Sequence, residues 1–193
     1  MAALLLKWGV QMVFRARNDR GFSVIELMMV VLMIGTLAAI ALPVMQDMTA
    51  SIKLNEAARM VEREMADARL KAVSSNRVIR VRLNCPSAGY IRSVEVLGTA
   101  ADTATNRCMT SAYPFPPADD DIMTRPNFDG PVRTLPNAAT VTNEVLQFSP
   151  DGTAVNVIAG TPTTIATSVT VTISRDGKSR TVTVNNVGKV QLQ

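Results

Sequence analysis

Between Gly21 and Pro43 the chain reads G-F-S-V-I-E-L-M-M-V-V-L-M-I-G-T-L-A-A-I-A-L-P, and from Phe22 to Leu42 every side chain is apolar or small except that of Glu26. A helix rises about 1.5 Å per residue, so this run reaches across a hydrocarbon core of roughly 30 Å. Few structures other than a membrane helix accommodate it.

The left edge of the run is as informative as its length. A basic stretch with Arg15, Arg17 and Arg20 ends at Gly21, and the apolar residues start at once. A secretory signal is cut after its apolar region and discarded, and Ala39-Ile40-Ala41 offers such an A-x-A site. That reading leaves Gly21, Glu26 and their spacing unexplained. A cut after Gly21 explains all three and keeps the helix.

The pattern Arg20-Gly21-Phe22-Ser23-Val24-Ile25-Glu26-Leu27, followed by Ile34-Gly35-Thr36-Leu37-Ala38-Ala39-Ile40-Ala41-Leu42-Pro43, resembles the N-terminal signature of type IV pilins and type II secretion pseudopilins. The resemblance implies a leader over residues 1–21, cleavage by a prepilin peptidase after Gly21, and N-methylation of Phe22. It also implies a transmembrane and filament-core helix over residues 22–43, with Glu26 and Pro43 as assembly positions.

Glu26 raises a physical question of its own. A carboxylate inside a bilayer costs roughly 2.5 to 3.5 kcal/mol, so such groups find partners. Cleavage creates one, a positive amine at Phe22, four residues away on this chain or on a neighbouring subunit. A carboxylate in the first turn of a helix is also favoured by the helix dipole. The resemblance favours the pairing between subunits.

Net charge is +4, from 20 basic and 16 acidic side chains. Residues 1–43 hold four of the basic groups (Lys7, Arg15, Arg17, Arg20) and two of the acidic ones (Asp19, Glu26). The remainder has 16 and 14, which is not the electrostatic footprint of a nucleic-acid-binding domain. The cations ahead of the apolar run place the N-terminus in the cytoplasm and the C-terminal domain across the inner membrane, in the periplasm of a Gram-negative cell. The chain has no histidine, which removes the usual general base, the usual zinc ligand and every His-based nucleophilic triad. No cofactor-binding pattern is present.

The leader is long, and a start at Met12 in place of Met1 gives a short polar one. Pro43 closes the apolar run without having to end the helix. Leu54, Ala58, Val61, Met65, Ala68 and Ala72 then recur at alternating steps of four and three, with charges between them, predicting an amphipathic helix over residues 44–75. Residues 76–193 read as a β-rich globular domain. Arg77 to Cys85 alternates Ile79, Val81, Leu83 and Cys85 with Arg80, Arg82 and Asn84, and a turn at Pro86-Ser87-Ala88-Gly89 leads to a second strand near Tyr90 to Leu97.

Residues 98–140 are rich in proline and weakly periodic, predicting a variable surface excursion with short elements of its own. Cys108 lies in it. Cys85 and Cys108 either stay separate thiols or form the one intramolecular bridge available to them, which an oxidising compartment favours. Strands follow at Val145 to Phe148, Thr153 to Ile158, Ser168 to Ser174, Thr181 to Asn185 and Val187 to Leu192. The fold class is α+β: a long N-terminal helix packed on antiparallel sheet, pilin-like. Phe148-Ser149-Pro150-Asp151-Gly152 and the closing Val187-Gly188-Lys189-Val190 further resemble GspH/FimT-type minor pseudopilins and minor pilins, although that family often has arginine at the position of Lys189.

Three chemistries remain. Asp119, Asp120, Asp121 and Asp129 are oxygen donors that Ca²⁺ could take, without the spacing of an EF-hand. Arg175, Lys178, Arg180 and Lys189 resemble the basic end with which some family members take up DNA. Catalysis lacks any clustered set of groups. The resemblance therefore implies a non-enzymatic minor pilin or pseudopilin. It would help start or cap a type II secretion pseudopilus or type IV pilus through contacts with other subunits. Its alternative is a DNA-binding minor pilin of natural transformation.

Overall fold

The computed structural model describes residues 21–116 and 127–193. The leader up to residue 20, both start positions and Asp119, Asp120 and Asp121 lie outside the described residues. One helix, α1, runs Val24–Ser75 with Pro43 inside it. Contacts divide the chain into two units, one ending at Val44 and one spanning Met45 to Gln193.

In the second unit, the expected stripe is the one that packs. Leu54, Ala58, Val61, Met65, Ala68 and Ala72 are all buried, joined by Ala57. Four of these seven are alanine, so the helix approaches its sheets closely. α1 stops where Asn76 takes a left-handed conformation (φ 52°) and the Arg77 amide donates back to the Ala72 carbonyl, a common role for asparagine at a helix end.

Ten strands follow: β1 (Ile79–Leu83), β2 (Tyr90–Glu95), β3 (Arg133–Thr134), β4 (Thr140–Val141), β5 (Val145–Phe148), β6 (Ala154–Ile158), β7 (Thr161–Thr164), β8 (Ser168–Arg175), β9 (Lys178–Asn185) and β10 (Val190–Leu192). They form two antiparallel sheets, ordered β3-β2-β1-β5-β6-β7 and β10-β9-β8-β4. The hairpins β1–β2 and β8–β9 stand in the predicted places, the latter pairing Val171 with Val182 and Arg175 with Lys178. The last strand begins at Val190 rather than Val187, because Val187 and Gly188 form its turn. The inner faces of both sheets meet α1 in one core. It contains Ile79, Val81, Ile91, Leu146 and Phe148 from the larger sheet, and Val171, Ile173, Val182 and Val184 from the smaller.

The excursion over residues 98–140 has short elements of its own, 3-10 turns at Ala100–Thr103 and Pro136–Ala138 among them, and Leu135 and Ala139 join the core. Other described parts of it lie over β1 and β2. Asp102, Arg107, Cys108 and Asp129 are buried, and so are Arg80 and Arg92 on the strands beneath. Cys85 and Cys108 are joined in a disulfide, their Cα atoms 5.5 Å apart, which pins this cover to the end of β1.

Candidate assembly segment and its supporting domain

The first unit presents the expected processing positions openly. Gly21 and Phe22 precede the helix, Phe22 is 80% exposed, and Glu26 lies in the first turn of α1. Val24, Ile25, Leu27, Met28, Leu32, Ile34, Leu37, Ile40 and Leu42 are exposed around the helix. An apolar helix with no preferred buried side is one that takes lipid or other helices as its solvent. The segment is long and apolar enough to cross a membrane.

The C-terminal signature residues converge on α1. Arg69 donates from Nε to the Gly152 carbonyl at 3.0 Å and from Nη2 to the Val187 carbonyl at 3.1 Å. Gly152 and Gly188 both take left-handed conformations (φ 83° and 72°), and a Cβ on Gly188 would overlap the Gly152 oxygen. Asp151 accepts from the Thr153 amide (2.9 Å) and hydroxyl (2.7 Å), which draws its pKa below the ordinary aspartate value. The two glycine turns are thus halves of one junction, closed by a guanidinium from the helix. Sequence reading singled out both turns but not Arg69, which looks like any other exposed helix cation.

A second cluster lies under the excursion. Arg92 and Arg107 are fully buried, and both face Asp129. Arg107 Nη2 lies 2.7 Å from Asp129 Oδ1 and 3.0 Å from the Glu95 carbonyl, while its guanidinium stacks over the Tyr113 ring at 4.4 Å. Arg92 donates to the carbonyls of Gly130, Arg107 and Tyr113. The Glu95 carboxylate accepts from the amides of Asn127 and Phe128 and pairs with Arg77. Burial lowers the Arg92 pKa, an effect that Asp129 opposes. Asp129 is therefore engaged by guanidinium groups, while Asp119, Asp120 and Asp121, the other expected calcium donors, lie outside the described residues. No metal-binding cluster occurs among the described residues.

The four C-terminal cations do not gather into one patch. Lys178 reaches Asp47 and Ser51 on α1 at 3.3 Å, and Arg180 donates to Asn55 at 2.8 Å. Arg175 pairs with its neighbour Asp176. Lys189 lies at the far end of β9, since its backbone pairs with Asn185. From Lys178 to Asn185 the strand extends about 23 Å. Two of these cations tie the hairpin to the helix.

An apolar N-terminal helix leading into a helix-on-sheet domain is the architecture of a pilin-like subunit. Comparison with known proteins agrees. A family model described as the prokaryotic N-terminal methylation motif matches residues 16–42. A second, the type II transport protein GspH, matches residues 57–188, and the chain belongs to this family of pilin and pseudopilin subunits. The type IV major pilin protein PilE1 of Neisseria gonorrhoeae is 49% identical over 44 residues, 23% of this chain and 27% of that relative. The fimbrial protein of Neisseria meningitidis serogroup B matches at the same identity over 26% of its length. The chain thus spans about a quarter of the curated relatives it matches. Among solved structures, the type IV minor pilin FimU of Pseudomonas aeruginosa aligns at 18% identity over 76% of this chain and 92% of that one, with a TM-score of 0.46. The minor pseudopilin EpsH of Vibrio cholerae aligns at 15% identity over 73% and 96%, with a TM-score of 0.43.

Proposed function

We propose that this chain is a minor subunit of a type II secretion pseudopilus or type IV pilus, and that it helps to start or cap the filament. A prepilin peptidase cuts after Gly21, and the new terminus at Phe22 is methylated. The segment from Phe22 to Pro43 holds the protein in the inner membrane, with the β-rich domain in the periplasm, until it enters the filament. There Glu26 pairs with the terminal amine of an adjacent subunit. The observation that carries this reading is the coincidence of a methylation motif with an apolar helix exposed on every side. Such a helix gains by exchanging lipid for neighbouring helices, and a buried carboxylate gains by meeting a fixed positive charge.

The test is the intact mass and N-terminal fragmentation of the mature chain made alongside its peptidase. The expected species begins at Phe22 and is one methyl group heavier than the unmodified chain. A mature protein beginning at Leu42 overturns the proposal.

A further inference from the structure

The outer face of the larger sheet carries an arginine that has no partner among the described residues. Arg80 and Arg82 lie two apart on β1, and Arg82 stands opposite Arg92 on one side and Val145 on the other. Arg80 is held by Gln147, which receives Nε and Nη2, with Nη1 3.5 Å from the Asp102 carbonyl. Arg92 is matched by Asp129 and three carbonyls. Arg82 makes no hydrogen bond or ion pair among the described residues, and its Nη1 is buried without a partner. Burial, and after it the like charges of Arg80 and Arg107, lower its pKa.

Arg82 lines a pocket of about 530 Å³ between β1, the start of β5, the β6–β7 turn and the 3-10 turn at Ala100–Thr103. The pocket also holds Arg80 and two acids. Asp102 is fully engaged, accepting from the amides of Leu97, Gly98 and Thr99. Glu144 receives the Asn156 amide at 3.4 Å. The aliphatic part of the wall comes from Val145, Val157 and Ile158, the last 58% exposed at the rim.

We infer that this pocket binds a carboxylate side chain presented by an acidic segment of another protein, with Arg82 as its principal contact. A planar guanidinium with free donors matches a carboxylate in bidentate geometry. One unmatched positive charge suits one negative charge, and Glu144 repels a dianionic phosphate. The aliphatic wall takes the methylene stem of glutamate, and Ile158 takes an apolar neighbour. The site lies wholly in the β-rich unit and does not depend on processing at Gly21.

The probe is acetyl-Ala-Glu-Leu-amide, added to the full chain in detergent micelles labelled with ¹⁵N-arginine, with the Gln-containing peptide and inorganic phosphate as comparisons. The expected result is a saturable shift of one arginine Nε–Hε resonance with the Glu peptide alone. Arg82→Gln weakens binding roughly tenfold or more, the scale of a charge-assisted hydrogen bond. Glu144→Gln, which leaves Arg82 in place, strengthens it several-fold. Equal response to the Glu and Gln peptides, unchanged affinity in Arg82→Gln, or a response to phosphate alone overturns the inference. Should Arg82→Gln fail to fold, the Glu144→Gln result decides: unchanged or weaker binding rejects it.

Discussion

Gly188 packs against Gly152 with no space for a methyl group between them, because a Cβ on Gly188 would occupy the position of the Gly152 carbonyl oxygen. This contact joins the turn after β5 to the turn before β10, which belong to different sheets. The Ala154 amide, donating to the Asn186 carbonyl at 2.9 Å, reinforces it. Gly188→Ala must therefore move backbone as well as adopt a left-handed conformation, and is expected to cost at least about 2 kcal/mol. Gly177 has a similar φ of 75° but nothing within 4 Å of its added Cβ. Gly177→Ala bears the conformational cost alone, about 1 kcal/mol. Urea unfolding of both variants measures the difference.

Among the described residues, Asp129 is the single carboxylate facing Arg92 and Arg107 in their buried pairings. Asp129→Asn leaves two desolvated guanidinium groups without a counter-charge and is expected to destabilise the domain by about 3 to 5 kcal/mol. The double change Arg107→Met with Asp129→Leu should lose less than Asp129→Asn alone, since it removes charge from both sides. Unfolding of the three proteins under one set of conditions checks the order.

Reduction of Cys85–Cys108 frees a cover that otherwise closes the outer face of β1 and β2. Loss of the bridge is expected to lower stability by roughly 3 kcal/mol. Protease cutting after reduction should begin between Gly98 and Tyr113, before the sheets open. Mapping the first cleavage products with and without reductant tests this.

Asp151 sets an acid limit on its turn. Its hydrogen bonds to Thr153 hold the folded pKa below the ordinary value of 3.8. The contribution is complete above that value and is lost as pH falls through the folded pKa. Amide exchange at Thr153, followed downward from pH 5, should quicken in the wild type and show no such step in Asp151→Asn.

Glu26 carries the assembly proposal to a direct readout. Glu26→Ala should leave membrane insertion and folding of the β-rich domain intact while strongly reducing the amount of this subunit recovered in sheared filaments. Recovery equal to the wild type would remove the role assigned to the carboxylate.

Local pattern made the helix stripe and the long hairpins legible. Leu54, Ala58, Val61, Met65, Ala68 and Ala72 follow the helical period and are all buried, and the alternation of Ile79, Val81 and Leu83 places them in the core. The same alternation sets Arg80 on the opposite face, and the structure leaves it only 6% exposed. Period two says which residues share a face, not whether a distant segment covers it. The partners responsible, Gln147 and Asp102, lie 67 and 22 residues away. β7, with Pro162 among threonines, has no apolar alternation at all. It is an edge strand whose residues are all exposed, and position at the edge is what permits a proline there. The processing motif was readable because its chemistry is local, whereas the junction at Arg69 unites residues 83 and 118 positions apart.

Arg69 also imposes an order on how the protein reaches its finished form. Its second acceptor, the Val187 carbonyl, lies 118 positions further along the chain. Until that turn arrives, the helix cation holds at most one of its two backbone acceptors and the sheets lack their tie. A chain cut before residue 187 therefore leaves an open guanidinium on α1 in place of the tie between the sheets.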